Sequence, residues 1–490
     1  MDFVTRDWRD DRIDELERQL HERDRVIEEQ RLQIAALLAR VAKLEARLKT
    51  SSKNSSKPPS SDPPWMAPPK SKPSSGRKPG GQPGHKGTRR VLLPLARVDE
   101  VEDVWPARCE QCANDFGSGT RVEVGEAERH QVVEIPEARA RVTEYRLHSQ
   151  CCLSCEWATS ARIPEGVPTG NFGPRLQAVV AVSSGVYRLS KRTIVSLLKD
   201  LFGVEMSLGS VSACEQRASA ALEAPVKEAR RHVAAQAIAY ADETGWREAR
   251  KRAWVWVAVT SFVTVFLVHA NRNTDAARQL LGRFAGVLVS DRWSAYQDWA
   301  IENRQLCWAH LKRYFTAFSE SGGAAGPIGV RLLELTSKLF RAWHRVRDGT
   351  LTRRAFQTNI RPLRAEIEAL LEEGTRCGHR KVEGTCRAIL KLTPALWTFT
   401  RVVGVDPTNN AAERALRWCV IMRKTSFGTH SEAGSRFIER MLTVTATLKQ
   451  QKRNVVDYLT EACRCSLQNR RVPSLLPSRR LVAQRAAQAA

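Results

Sequence analysis

The chain has 490 residues, too many for one ordinary core, so about two to four domains are expected. Lys and Arg number 78 against 53 acids, a formal charge of +25 that points to a polyanion such as nucleic acid, the plainer reading being a solvated basic surface. Twelve cysteines behind a charged N-terminus without an apolar leader ("MDFVTRDWRDDRIDELER") argue against a secreted disulfide scaffold and for a reducing, cytoplasmic setting where cysteines bind metal.

Residues 1–49 contain a heptad in which Ile13, Leu20, Ile27, Ile34, Val41 and Leu48 share one seam and Leu16, Leu37 and Leu44 its companion. Polar Arg23 and Gln30 interrupt the companion seam, a device that sets register and partner number. A self-associating coiled-coil helix is expected; the alternative is a single amphipathic helix packed on its own chain. Residues 50–90 then carry nine Lys and Arg against one Asp among many Pro, Gly and Ser. Such a segment cannot build a core and reads as a disordered basic tether, able to meet DNA phosphate through charge alone.

In 91–170, Cys109-x2-Cys112 and Cys152-x2-Cys155 are separated by 39 predominantly strand-like residues. Paired CxxC knuckles supply four thiolates to a structural Zn²⁺, with reduced packing cysteines as the alternative. Residues 171–232 read as helices, with Ser190 and Ser207 as N-caps and Gly203 as a stop. The second and third helices form either a helix-turn-helix or a plain connector. The apolar run "AWVWVAVTSFVTVFLVHA" at 253–270 is broken by Thr260, Ser261 and Thr264 and rich in β-branched residues, so it reads as two buried strands rather than a membrane span.

Two apolar strands, "AIAYADETGWR" and "GVLVSDRWSAY", are expected to end in Asp242 and Asp291. A third acid, Glu413, stands in the first turn of a helix opened by "TNN", with Asn409 or Asn410 as its cap. Singly, such acids are turn residues or complements to a helix dipole. Together, in so basic a chain, they suggest a site for two divalent cations that transfers phosphoryl groups. Cys307-x2-His310 offers two further ligands, too few for a closed metal site, and a hydrogen-bonding role for His310 is equally open.

The stretches "YADETGWR", "SDRWSAY", "CWAHLKRYF" and "NNAAERALR" resemble the motif series of the insertion sequence 66 family of DDE transposases. The arm "SSKNSSKPPSSD", the paired CxxC module and the tail "TLKQQKRNVVDYL" resemble that family's other segments, in the same order, over residues 50–465. The resemblance implies a multidomain α/β chain with an RNase H-like core (a mixed sheet with helices) in 233–315 and 401–468. A helical insertion would fill 316–400, and 469–490 would be a basic tail. It implies Asp242, Asp291 and Glu413 as catalytic ligands of two Mg²⁺ (or Mn²⁺) ions, with His310 near the active site. Lys312, Arg313, Arg414, Arg417, Arg423 and Lys424 are the DNA-contact candidates. The implied activity is cleavage at the element's terminal inverted repeats and joining of the 3′ end to target DNA. The implied setting is a homo-oligomer at the nucleoid, away from membranes, with accessory proteins of the element as further partners. The rival is a catalytically inactive DNA-binding regulator on the same scaffold.

Overall fold

The computed structural model describes residues 8–48, 50–55, 62, 84, 91–117, 119, 122 and 124–489. These divide into a larger unit, Met1–Pro63 with Val142–Ala490, and a smaller one, Pro64–Arg141. In the smaller unit Leu93 is clamped by Gln131, which accepts from its N–H at 2.8 Å and donates to its carbonyl at 3.0 Å. An antiparallel bridge between Arg108 and Asp115 closes the turn carrying Cys109 and Cys112. The stretch 124–148, expected to be largely strand, forms no laddered strand among the described residues. Val124, Val132 and Ile135 are exposed, so no buried face drives pairing there.

In the larger unit α1 (Trp8–Leu48) is one continuous helix, and its heptad residues from Ile13 to Leu48 stay exposed. The expected tether at 50–90 lies mostly outside the described residues. Its described start is tied down: Asp62 accepts from the Ser52 N–H at 2.8 Å and hydroxyl at 2.6 Å, and Asn54 Nδ2 donates to Glu320 at 2.6 Å. Ser52 and Asn54 are thus held by hydrogen bonds within the larger unit.

A short hairpin, β1 (Ser149–Cys151) and β2 (Ala158–Ser160), precedes helices α2 (Pro174–Gly185), α3 (Lys191–Phe202), α4 (Leu208–Ala221) and α5 (Glu223–Ala234). Ser190 and Ser207 cap α3 and α4 through their side chains, and Gly203 ends α3 at φ 65°. Because α4 buries Val211, Cys214 and Ala218 and packs on α2 and later helices, it is a core element.

The central sheet contains β3 (Ile238–Glu248), β4 (Lys251–Val259), β5 (Thr264–His269), β6 (Val287–Ser290) and β7 (Arg304–Leu306), with α6 (Thr274–Leu281) between β5 and β6. Its order is β5-β4-β3-β6-β7, the first three antiparallel and the last two added in parallel. The long apolar run of the sequence is thus β4 and β5, buried strands whose near-continuous hydrophobicity reflects cover on both faces. Among the described residues no helix is long and apolar enough to cross a membrane.

Helices α7 (Trp308–Ser319), α8 (Ala325–Arg347), α9 (Arg353–Gly374), α10 (Arg380–Leu390), α11 (Thr393–Leu396) and α12 (Thr398–Arg401) form a second core with β6 and β7, around Trp308, Phe315, Phe356 and Trp397. The chain then returns to the sheet through α13 (Asn410–Ser426), α14 (Glu432–Gln450) and α15 (Val455–Leu467), and ends in α16 (Arg479–Ala489).

α14 closes the outer edge of the sheet through side chains. Thr264, Phe266 and Val268 of β5 donate their N–H groups to Thr447 at 3.1 Å, Thr443 at 3.0 Å and Glu439 at 3.0 Å. The spacing works because four helical residues rise about 6 Å and two strand residues about 6.6 Å. An edge that would otherwise recruit another strand is satisfied within the chain.

Candidate active site

Asp242 lies inside β3, not at its end as the sequence suggested, paired with Val257 of β4. What stops beside it is the neighbour: parallel pairing of β3 with β6 ends at Tyr240–Val289 and β6 ends at Ser290. Continuing that register by two residues sets Asp242 beside Asp291, in strands spaced about 4.8 Å apart. Each aspartate steadies itself on a nearby backbone N–H: Asp242 Oδ1 accepts from Glu243 at 2.9 Å and Asp291 Oδ1 from Trp293 at 2.8 Å.

Glu413 reaches this place by a route the sequence did not reveal. Asn409 occupies the N-cap position of α13 but makes no side-chain cap. Instead its Nδ2 donates to the Ala241 carbonyl at 2.7 Å, its N–H donates to Cys307 Sγ at 3.1 Å, and the residue is fully buried. Trp308 N–H also donates to the Pro407 carbonyl at 2.9 Å, locking the start of α7 to the approach of α13. Two helix N-termini thereby converge next to Asp242, a setting that favours negative charge.

The electrostatics register the convergence. Burial, then the like charges of Glu243 and Asp291, and further off Glu413, hold the Asp242 carboxyl well above the ordinary carboxylate range. Burial keeps His310 below the usual imidazole value against the pull of Asp291 and Glu413, so the ring is neutral at pH 7. His310 Nδ1 lies 3.6 Å from Glu413 Oε1, and both atoms are buried without a hydrogen-bond partner. Burial pushes the Cys307 thiol up to about 12. Among the described residues, Cys307, His310 and Glu413 are the group whose metal-ligating atoms all lie within 4.8 Å of one another.

Glu243, the next residue along β3, adds a further acid beside Asp242. It is buried, accepts from Tyr296 Oη at 2.5 Å and from Arg272 Nε at 2.8 Å, and burial followed by the Asp291 charge raises its carboxyl to about 7. Arg272 also stacks 3.9 Å over the ring of Trp293, a half-exposed aromatic two residues past Asp291.

The basic candidates separate. Lys312 and Arg414 line a cavity of about 330 Å³ together with His344, Arg347, Asp406 and Asn410. Arg417 and Lys424 are exposed and Arg313 is half-buried. Arg423 turns inward, donating from Nη1 to the Gly245 carbonyl at 2.6 Å, and so clamps α13 to β3. Trp418, between Arg188 at 5.1 Å and Lys449 at 4.8 Å, is an exposed cation–π stack that sequence reasoning missed because its partners lie far apart in the chain.

The two cysteine knuckles lie in different units and are alike locally. Ala113 and Glu156 each donate to the carbonyl of the first cysteine, at 2.9 and 2.8 Å, with φ of 56° and 55°. Backbone N–H groups aimed at Cys109 and Cys152 lower both thiols.

The model of the family described as "Transposase IS66 family" matches residues 169–436, more than half of the chain and all of the site around Asp242, Asp291, His310 and Glu413. The chain belongs to the IS66 transposase family. Two relatives of this IS66-family protein come from Sinorhizobium fredii (strain NBRC 101917 / NGR234). "Uncharacterized protein y4qI" is 28% identical, over 75% of this chain and 72% of its own. "Uncharacterized protein y4hP" is 23% identical, over 70% and 68%. Residues 7–91 of the IS66-family chain match a separate family of unknown function, so α1 and the following arm carry their own signature.

Proposed function

We propose that this transposase cuts phosphodiester bonds at the terminal inverted repeats of its element and joins the freed 3′ end to target DNA, with Asp242, Asp291 and Glu413 as its acidic set. One observation carries the reading: Asp242 is buried among the charges of Glu243, Asp291 and Glu413, and burial followed by those charges raises it well above the ordinary range, in a chain of net charge +25. Such crowding is favourable only when cations neutralise it, and hard carboxylate oxygens fit Mg²⁺ or Mn²⁺. Two such ions supply Lewis-acid activation of the attacking oxygen and charge stabilisation at the leaving one. His310 would hydrogen-bond a phosphate oxygen. Lys312, Arg313, Arg414, Arg417 and Lys424 would hold the DNA backbone, and Arg423 would act mainly through α13. The sheet order supports an RNase H-like core: three antiparallel strands and two parallel ones, with Asp242 on the central strand and Asp291 just past its parallel neighbour.

The same reading gives Cys109, Cys112, Cys152 and Cys155 one structural Zn²⁺, supported by matching turns whose N–H groups favour thiolate. The exposed heptad of α1 would pair with a second copy.

The experiment is cleavage and joining of a labelled element-end duplex with Mg²⁺ or with chelator. Asp242→Asn, Asp291→Asn and Glu413→Gln are each expected to abolish both steps, non-additively, while DNA binding persists. Parental cutting by Glu413→Gln would show the third acid to be another residue. DNA binding without cutting by the parent would establish the regulator instead.

A further inference from the structure

We propose that Cys307, His310 and Glu413 form a second metal site, one for a soft divalent cation of the zinc class, sharing Glu413 with the acidic set. Their donor atoms lie within 4.8 Å of one another. His310 Nδ1 and Glu413 Oε1 are 3.6 Å apart, too far for a hydrogen bond, yet both are buried and unpartnered. That separation is close to the roughly 3.4 Å expected between two ligands of one tetrahedral zinc with bonds of about 2.0–2.1 Å. Orphaned, buried and correctly spaced polar atoms describe ligands better than an ion pair.

The scaffold fixes all three. Cys307 is the N-cap residue of α7, and its sulfur accepts the Asn409 N–H at 3.1 Å, the bond a metal-bound thiolate also accepts. His310 follows within the first turn of α7, and Glu413 lies in the first turn of α13. Glu413 keeps 31% of its side-chain surface open, so an ion can enter from that side. A thiolate with an imidazole selects Zn²⁺ over Mg²⁺ or Ca²⁺, and three protein ligands leave a fourth position for water or a phosphate oxygen.

The consequence rests on the acidic-set reading. A zinc-class ion on Glu413 Oε1 competes with Mg²⁺ for the charge of that carboxylate, so Mg²⁺-dependent cutting is expected to slow while that ion is bound.

The test is Co²⁺ titration of full-length protein already loaded with one equivalent of Zn²⁺, following the sulfur-to-cobalt charge-transfer band. One further Co²⁺ per chain is expected in the parent and in Asp242→Asn, and one Co²⁺ in the double variant Cys112→Ser/Cys155→Ser titrated without the prior Zn²⁺. The band should vanish in Cys307→Ser. Affinity should fall by more than about 10- to 100-fold in His310→Ala and Glu413→Gln, since losing even an outer partner of a metal ligand costs that much. If Cys307→Ser does not fold, judged by circular dichroism, the His310→Ala arm decides. No further band in the parent, or one that survives both Cys307→Ser and His310→Ala, overturns the site. Because the band is read without DNA, a parent that binds Co²⁺ here but cuts nothing would keep the site and sink the acidic-set reading.

Discussion

Glu243 shows how one side chain sets the climate of its neighbours. Its carboxyl is raised to about 7 from an ordinary 4.5, so between those pH values the folded chain holds a proton that the unfolded chain has released. Its contribution to stability is therefore full below about pH 4.5 and lost as pH rises through 7. Glu243→Gln removes that slope and weakens the contacts with Arg272 and Tyr296, at a cost of about 1–3 kcal/mol. In metal-free urea melts the parent's advantage over Glu243→Gln should shrink from pH 4.5 to 8. An advantage that stays constant would mean that Glu243 is ionised throughout. None of this was legible beforehand, because strand alternation gives the face of a residue but not what packs there. Asn409 hid its role for a similar reason. An asparagine before a helix reads as a cap, and only the approach of β3 offers its amide a better acceptor in Ala241.

At the scale of elements, α14 and β5 carry the sharpest expectation. Thr443 and Thr447 accept from buried N–H groups of a strand edge, and valine is their nearest shape without the acceptor. Thr443→Val and Thr447→Val should each destabilise by about 1–3 kcal/mol, because each orphans a buried donor. A thermal melt of either variant that matches the parent would show the edge to be hydrated instead. β4 and β5 were readable from composition, since β-branched runs interrupted by threonine have few other uses. Asp242's mid-strand place was not, because the length of β6 rather than of β3 decides where pairing stops.

For the whole molecule, the open question of association sits on α1. Its seam residues are 45–75% exposed, from Ile27 to Leu48, a stripe that no other part of the described chain covers. Deleting residues 1–49 should lower the mass measured by light scattering, and an unchanged mass would place self-association elsewhere. Many of the helices and strands along the chain were legible from periodicity. How the distant pieces meet was not, since Ala241, Cys307 and Asn409 are joined by hydrogen bonds spanning 102 and 168 residues.

The closure of β5 by α14 also has a meaning in time. A ribosome delivers the two aspartates and all five strands of the central sheet first, then the whole helical insertion, and only afterwards Glu413 and the threonines of α14. A nascent chain therefore carries a bare strand edge and two of its three acids until about its last sixth emerges, and the two deficits end together. Messages cut short within the insertion should yield polypeptides that clump through that edge and are cleared, rather than partial enzymes loose on the chromosome.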